Sequence, residues 1–409
     1  MKILMLAHQV SYPIHDGYNL HNYHYARHLQ GRHEIHLIAL GNEPVPDEFA
    51  DVFASVRMLR RRDPPRDRML VGRIAHSLSA DEVHDFDPFV FATIHEAIWN
   101  EGYDLVWASG AKMLVYTRRL HRVPILADIA DSGVLDARKQ LARARTPRQI
   151  AMRTRELISV RRFERDYFPH AAAVSVVAED DRASVLDLLP GSNVPIVNNG
   201  VDHEYFVPLG TPRKDASLVY LGAMNFLPNA EGSIYFCRQV LPLILSEVPE
   251  TVFSIVGKDP TPEVSELAAP SVEVTGMVDD VRPWLDAAAV FVCPLLSGAG
   301  IKNKILQAWA MEKPVVATSI SCGGLRIRDG ENILVADGKR DFADAVLKLL
   351  RDPELCARMG KAGRETVTAH YSWEAKAAEM DTILRDVAGP TGAGGAGQDP
   401  VGRTTQPAG

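Results

Sequence analysis

The chain has 409 residues, 46% of them hydrophobic and 24% charged, with a formal net charge of -7. That length exceeds what one hydrophobic core usually supports, so two domains with ordinary cores are expected in a globular protein. The acidic balance argues against generic nucleic-acid binding, which needs a surplus of Lys and Arg, and Cys237, Cys293, Cys322 and Cys356 stand singly, as reduced thiols of a cytosolic protein do.

In chain order, residues 2–7 form a buried-type apolar run, 12–17 carry turn residues, 20–29 have a helical pattern and 35–40 are apolar again. This predicts strand, loop, helix, strand. Further strands are expected at 105–108, 124–127, 173–177 and 196–197, with helical or basic stretches between them. Alternating strands and helices imply a parallel sheet covered on both faces. A second alternation follows Pro208 and Gly210, with strands expected at 218–221, 252–256, 272–274, 290–293, 315–317 and 333–335 and helices at 230–246, 281–288 and 302–311. The predicted fold class is α/β, two doubly wound Rossmann-like domains facing across a cleft, where ligands sit at the carboxyl ends of strands. The domains are expected at 1–207 and 208–371, with a last helix at 372–387 packing back toward the first. The tail from 388, rich in Gly, Pro, Thr and Gln, is expected to be disordered. Residues 3–7 are too short for the apolar region of a signal peptide, and no apolar run is long enough to span a bilayer.

The densest chemistry lies at residues 294–316. A strand at 290–293 enters the loop Pro294-Leu-Leu-Ser-Gly-Ala-Gly-Ile301, then a helix from Lys302, then a strand at 314–318. A glycine-bearing loop at a helix N-terminus offers unpaired N–H groups and the positive end of the helix dipole, which suits a diphosphate. Lys302 and Lys304 lie in the first turn, where a cation is unfavourable unless a bound anion offsets the cost. Gln307 shares a face with Lys304 and lies about 7 Å along the axis from Lys302, a spacing that suits a ribose one turn above a phosphate. The alternative is an ordinary strand-to-helix turn with solvated lysines.

Gly300-Ile-Lys-Asn-Lys-Ile-Leu-Gln-Ala-Trp-Ala-Met-Glu-Lys-Pro-Val-Val316 resembles the donor motif of glycosyltransferase family 4, retaining enzymes of GT-B fold. Other landmarks stand in family order: Asn199-Gly-Val-Asp202 with Phe206 and Pro208, Leu221-Gly222 with Pro228-Asn229, Val256-Gly257, Gly276-Met-Val-Asp-Asp-Val-Arg-Pro-Trp284 and Tyr371-Ser-Trp-Glu374. They are most similar to a bacterial exopolysaccharide-associated branch and cover most of residues 170–375. The resemblance implies a hexosyltransferase that moves a sugar from a nucleoside diphosphate sugar to a glycan or lipid-linked acceptor, with retention of configuration and without cofactor or metal. It places the donor on the second domain and the acceptor on the first. The donor-binding residues it implies are Gly17, Gly222, Asn225, Gly257, Val278, Gly298, Ala299, Gly300, Ile301, Lys302 and Gln307.

Several family features are altered. The two signature glutamates fall at Ala299 and Gln307, and an amide only partly replaces a carboxylate that accepts from both ribose hydroxyls. The loop in which the family places an Arg and a Lys reads Gly222-Ala-Met-Asn-Phe-Leu-Pro-Asn229. Lys304, with Lys302, is therefore expected to supply positive charge to the leaving diphosphate. Asp16-Gly17 stands where the family has a glycine pair, or is a simple turn. Where many relatives have a His on the transferred sugar, this chain reads Asp128-Ile-Ala-Asp131-Ser132, so Asp131, ahead of Asp128, is expected there; capping of the next helix is the alternative. Asp131 and Lys304 are the catalytic candidates.

His21, His24 and His28 share a helical face at metal-compatible spacing, but no carboxylate cluster accompanies them and no metal site is expected. His21 or His24 is expected to face the acceptor cleft together with Asp128. Residues 57–73 hold seven arginines, and 138–165 hold ten basic residues against Glu156 and Glu164. These stretches point to anionic lipid headgroups or a lipid-diphosphate acceptor, or else are solvated faces. The expected location is the cytoplasm, peripheral on the inner face of the plasma membrane in the lipid case. A sugar-nucleotide epimerase on the same fold and a non-catalytic sugar-nucleotide-binding protein are the competing readings.

Overall fold

The first sheet consists of β1 (Lys2–Ala7), β2 (Glu34–Leu40), β3 (Ser55–Leu59), β4 (Leu105–Ser109), β5 (Ile125–Ala130) and β6 (Ala173–Val176), ordered β3-β2-β1-β4-β5-β6. The computed structural model describes residues 1–10, 17–41, 45–60, 86–118, 120–298 and 301–389. Every strand pair of this sheet is parallel. β1 and β4 are apolar along nearly their whole length because helices cover both of their faces. β3 escapes the sequence reading because it is a half-exposed edge strand with Arg57 in it, inside an arginine-rich stretch. The strand expected at 196–197 is reduced to one bridge between Ile196 and Val176.

The second sheet repeats the plan with β7 (Ser217–Leu221), β8 (Val252–Val256), β9 (Val272–Gly276), β10 (Val290–Cys293), β11 (Val315–Ala317) and β12 (Leu334–Val335), ordered β12-β11-β10-β7-β8-β9. Its strand pairs are parallel too. In each sheet the strand order reverses beside the first strand, between β1 and β4 and between β7 and β10. At such points the loops after neighbouring strands diverge and leave a crevice.

The chain passes between the domains twice, and the two passages are joined. Val201 N donates to Tyr371 O at 2.7 Å, and a Cβ on Gly200 would stand 2.7 Å from the Trp373 ring. Beyond this crossing the helix Trp373–Ala388 returns to the first domain. Trp373, Ala377, Met380, Leu384 and Val387 pack in the same core as Ile3, Met5 and Leu37. Residues 390–409, which include nearly all of the expected disordered tail, lie outside the described residues.

Candidate functional site

In the second domain the crevice is closed from below by glycine. Gly257 has φ 152°, a region that favours glycine, and a Cβ on it would overlap the carbonyl oxygen of Gly222. The loops leaving β7 and β8 are thereby pressed together. A Cβ on Gly222 would in turn stand 2.8 Å from Lys304 Nζ. On the other side of the crevice β10 feeds the loop through Gly298, at φ 122°, into the helix Asn303–Ala310. The N-cap of that helix is Lys302, whose backbone is extended and whose side chain does not cap, so the first-turn N–H groups receive no capping bond from it. Lys302 is only 9% exposed. Burial first, with the charge of Lys139 in addition, holds its pKa below the usual lysine range.

Lys304 lies differently from the expectation. Its ammonium donates to Asn229 Oδ1 at 2.7 Å and Tyr220 Oη at 3.1 Å and sits 4.3 Å from the centre of the Tyr220 ring. Burial pushes its pKa down to about 8. The first helical turn carries this side chain to Gly222 and the β7 loop, while the Lys302 side chain lies near Gly298 at the helix mouth. Gln307 is half-buried, and its side-chain amide makes no hydrogen bond among the described residues. Asn225 is exposed and donates to Asp259 at 3.4 Å. Val278 packs half-buried against the core, and Ile301 packs where a Cβ on Gly324 would meet it at 2.9 Å. Gly17 begins the helix Gly17–Leu29, with nothing closer than 3.8 Å to an added Cβ. Ala299 and Gly300 lie outside the described residues, as does Asp16.

In the first domain His21 and Asp128 form a buried pair, 6% and 3% exposed. His21 donates from Nε2 to Asp128 Oδ2 and from Nδ1 to Asn199 Oδ1, each at 2.8 Å. Asp128 also accepts from Trp107 Nε1 at 2.9 Å and Ser175 Oγ at 2.9 Å. Burial lowers the His21 pKa and raises that of Asp128. The mutual charge and hydrogen bonds outweigh burial in both, leaving His21 above and Asp128 below its usual range. Both groups are saturated inside the domain, so neither reaches the cleft as expected. They bind the helix Gly17–Leu29 to β5 and, through Asn199, to the inter-domain crossing. His24 is also turned inward, stacked at 4.4 Å on Trp373, and burial lowers its pKa to about 4. His28 meets Glu374 at 3.2 Å. Among the described residues no group of three or more His, Cys, Asp or Glu could hold a metal ion.

These shifts fix the sign of a pH dependence. A His21 pKa raised above 6.5 contributes stability that is fully present below 6.5 and lost as pH rises through its folded value. The lowered His24 has the opposite sign, its penalty relieved as pH rises from about 4 to 6.5. Lys304 likewise restores stability only from about 8 upward. Stability is thus expected to peak near 6.5 and fall toward about 8, as denaturant midpoints across that range will test; a continued rise through it would mean that His21 is neutral in the fold.

Asp131 is exposed at the carboxyl end of β5 and follows Ala130, whose φ of 60° is rare for a residue with a Cβ. Such turns concentrate where a side chain must be held in one place. Desolvation and the charge of Asp136 raise the Asp131 pKa, opposed by Lys139. Lys139 lies on the helix Gly133–Arg143 and makes no hydrogen bond or ion pair among the described residues. Its charge lowers the pKa of both Asp131 and Lys302.

Sequence reasoning missed a pocket of about 530 Å³ at the β1/β4 reversal, lined by His8, Tyr18, Asn22, Ser109, Gly110 and Lys112 among others. Tyr18 Oη donates to Ile129 O at 2.8 Å and Ser109 Oγ to Asn22 Oδ1 at 2.7 Å, which fixes the lining. Gly110, at φ 93°, lets the Tyr18 ring close over the loop. No carboxylate is among the described lining residues. The strand-order rule, applied to the loops after the first and fourth strands, was the signal that could have found it.

Residues 215–352 match the family described as Glycosyl transferases group 1. The chain is 38% identical over 106 residues to the lipopolysaccharide core biosynthesis glycosyltransferase LpsE of Rhizobium meliloti, covering 25% of this chain and 31% of that protein. It is 31% identical over 245 residues to alpha-maltose-1-phosphate synthase of Mycobacterium tuberculosis, covering 53% and 62%. The chain therefore spans less than two thirds of the length of these relatives. Sucrose-phosphate synthase from Thermosynechococcus elongatus has the same architecture, with TM-score 0.67 and 18% identity over 95% of this chain and 99% of that one. HepE of Anabaena, in complex with UDP and glucose, has TM-score 0.64 and 14% identity over 94% and 99%.

Proposed function

We propose that this chain, a GT-B protein whose residues 215–352 belong to the Glycosyl transferases group 1, moves a sugar from a nucleoside diphosphate sugar to a glycan or lipid-linked acceptor. The observation that carries the reading is the crevice between β7 and β10. Gly222 and Gly257 clear its floor, and Lys302 with an uncapped helix start forms one wall. A diphosphate there meets N–H groups, the helix dipole and an ammonium together. Gln307, one turn on, offers its amide to the ribose.

The acceptor enters the first-domain pocket, whose amide, hydroxyl and imidazole groups suit a polyhydroxylated ring. Asp131 accepts hydrogen bonds from hydroxyls of the transferred sugar and so orients it. Transfer proceeds with retention. The acceptor oxygen bonds to the anomeric carbon on the face the diphosphate leaves, the carbon–oxygen bond to the diphosphate breaks, and the leaving oxygen takes the acceptor's proton. The protein positions the reactants and stabilises the leaving charge.

Thermal-shift measurement with uridine, guanosine and adenosine diphosphate sugars tests the reading. UDP-glucose comes first, since the Anabaena protein of the same fold holds UDP and glucose. A ligand at a hundred times its Kd stabilises by about 2.7 kcal/mol, a shift of several degrees. No stabilisation by any donor or nucleoside diphosphate would sink the proposal, and binding without turnover on any acceptor would favour a non-catalytic sugar-nucleotide-binding protein. Gln307→Glu is expected to tighten the donor about fivefold, the difference between a neutral and a charge-assisted bond to a ribose hydroxyl; weakened binding would mean that the site is built around the amide.

A further inference from the structure

The pocket at the β1/β4 reversal has a narrower chemistry than a neutral sugar calls for. A hydroxyl donates as well as accepts, and the side chains that best answer its donor are carboxylates, which only accept. None of the described residues lining this pocket has a carboxylate, whereas Lys112 brings an ammonium and His8 an imidazole that can gain only positive charge. The volume of about 530 Å³ admits a sugar ring together with a charged substituent.

Asn22 adds a directed donor. It lies on the helix Gly17–Leu29, is 4% exposed, and has its Oδ1 taken by Ser109 Oγ at 2.7 Å, which fixes the plane of the amide. Its Nδ2 makes no hydrogen bond among the described residues and is not sealed in the core, so it opens onto the pocket that Asn22 lines. A donor already held in one direction binds an acceptor atom with little further loss of side-chain freedom. Lys112 is held comparably, two residues after Gly110, whose N–H donates to Asp128 O at 2.8 Å. Tyr18 supplies the apolar wall: its ring is 40% exposed, and its hydroxyl is tied to Ile129 O, two residues before Asp131.

Taking this pocket as the acceptor site of the proposed reaction, we propose that it selects an acceptor sugar bearing a negatively charged substituent, a carboxylate or a phosphate ester. The Lys112 ammonium and Asn22 Nδ2 hold the anion, and the sugar ring lies against Tyr18. An ionised acceptor atom makes shorter and stronger hydrogen bonds to these donors than a hydroxyl does. The Asp131 carboxylate repels the anion and accepts from hydroxyls, so the charged substituent is turned toward Lys112 and the hydroxyl edge of the ring toward Asp131.

The full chain is to be titrated, with saturation-transfer NMR as the readout, against glucuronate, glucose 6-phosphate, glucose and inorganic phosphate. Glucuronate or glucose 6-phosphate is expected to bind about tenfold tighter than glucose, and the tighter of the two identifies the substituent. Inorganic phosphate, which lacks the ring, should bind about tenfold weaker than that sugar. Lys112→Gln, and separately Asn22→Asp, should each bring the anionic sugar to within about twofold of glucose. Asn22→Asp keeps the acceptor for Ser109 Oγ and replaces only the donor with a repelling oxygen, so it should fold; circular dichroism checks both variants. UDP binding, measured apart, should be the same in both variants as in the parent. Failure of the parent to bind any nucleotide would sink the transferase reading and leave the sugar preference to be read by itself. Glucose binding as tightly as both anionic sugars, no binding by either of them, or a preference that survives both variants would overturn the proposal. So would inorganic phosphate binding as tightly as the sugar, which would mean an anion site only, or displacement of the sugar by UDP, which would place it at the diphosphate crevice.

Discussion

Lys302→Ala is expected to lower kcat/KM about 10²-fold or more, and to weaken nucleoside diphosphate binding with it, while leaving the protein as stable as before or slightly more so. The two halves of this expectation share a cause. Lys302 is 9% exposed at the positive end of a helix, and burial holds its pKa below the usual range, so its charge is disfavoured there and a bound anion would offset the cost. Removing it takes away a buried charge and deprives a bound diphosphate of the cation at the helix mouth. Lys304→Met supplies the contrast. The Lys304 ammonium is held by Tyr220 and Asn229 under the loop, so its loss should loosen the β7 loop and lower the denaturation midpoint, with a smaller effect on binding. Calorimetric titration with UDP and GDP, with denaturation curves on both variants, separates the cases. If Lys304→Met weakened binding more than Lys302→Ala, the assignment of the two lysines would be reversed.

That reassignment marks what the sequence could and could not carry. Strand and helix alternation is a statement about period and polarity, so both doubly wound sheets and the loop entering the helix at 302 were legible. The edge strand β3 was not, because solvent on one side permits Arg57 and removes the apolar run that identifies buried strands. Side-chain destination was harder still. Lys302 and Lys304 both lie in one helical turn, and which of them faces the crevice depends on how that helix rolls onto Tyr220. His21 looked like a cleft residue because it begins a helix; only the packing of that helix on the sheet brings Asp128 of β5 to 2.8 Å from its ring. Asp131 follows an irregularity in the β5–β6 register between Asp128 and Ala130 and is exposed. The first-domain pocket joins residues about ninety positions apart in sequence, such as Asn22 and Ser109, and local periodicity contains no such information.

Asp128→Ala is expected to destabilise the protein by about 3–5 kcal/mol, enough to leave a domain of ordinary stability marginal. The substitution strands a buried imidazolium that now pairs only with Asn199, and it removes the acceptor used by Trp107 Nε1 and Ser175 Oγ. His21 will respond by losing its proton, because burial alone lowers its pKa. The fall in stability above pH 6.5 should therefore vanish in the variant. Asp128→Asn keeps the shape and one acceptor oxygen and should cost less, while abolishing the same pH dependence. Replacing both partners, His21→Leu with Asp128→Leu, should be less damaging than Asp128→Ala alone, since no buried imidazole is left without its partner. Chemical denaturation across pH measures all of this. Turnover discriminates structural from catalytic roles: molecules of Asp128→Asn that remain folded should keep kcat within about threefold of the parent, because the carboxylate is 3% exposed and its bonds all run inward. A collapse of kcat with the denaturation midpoint unchanged would return Asp128 to the reacting centre in place of Asp131, which does not cap the next helix either, since its N-cap is Ser132.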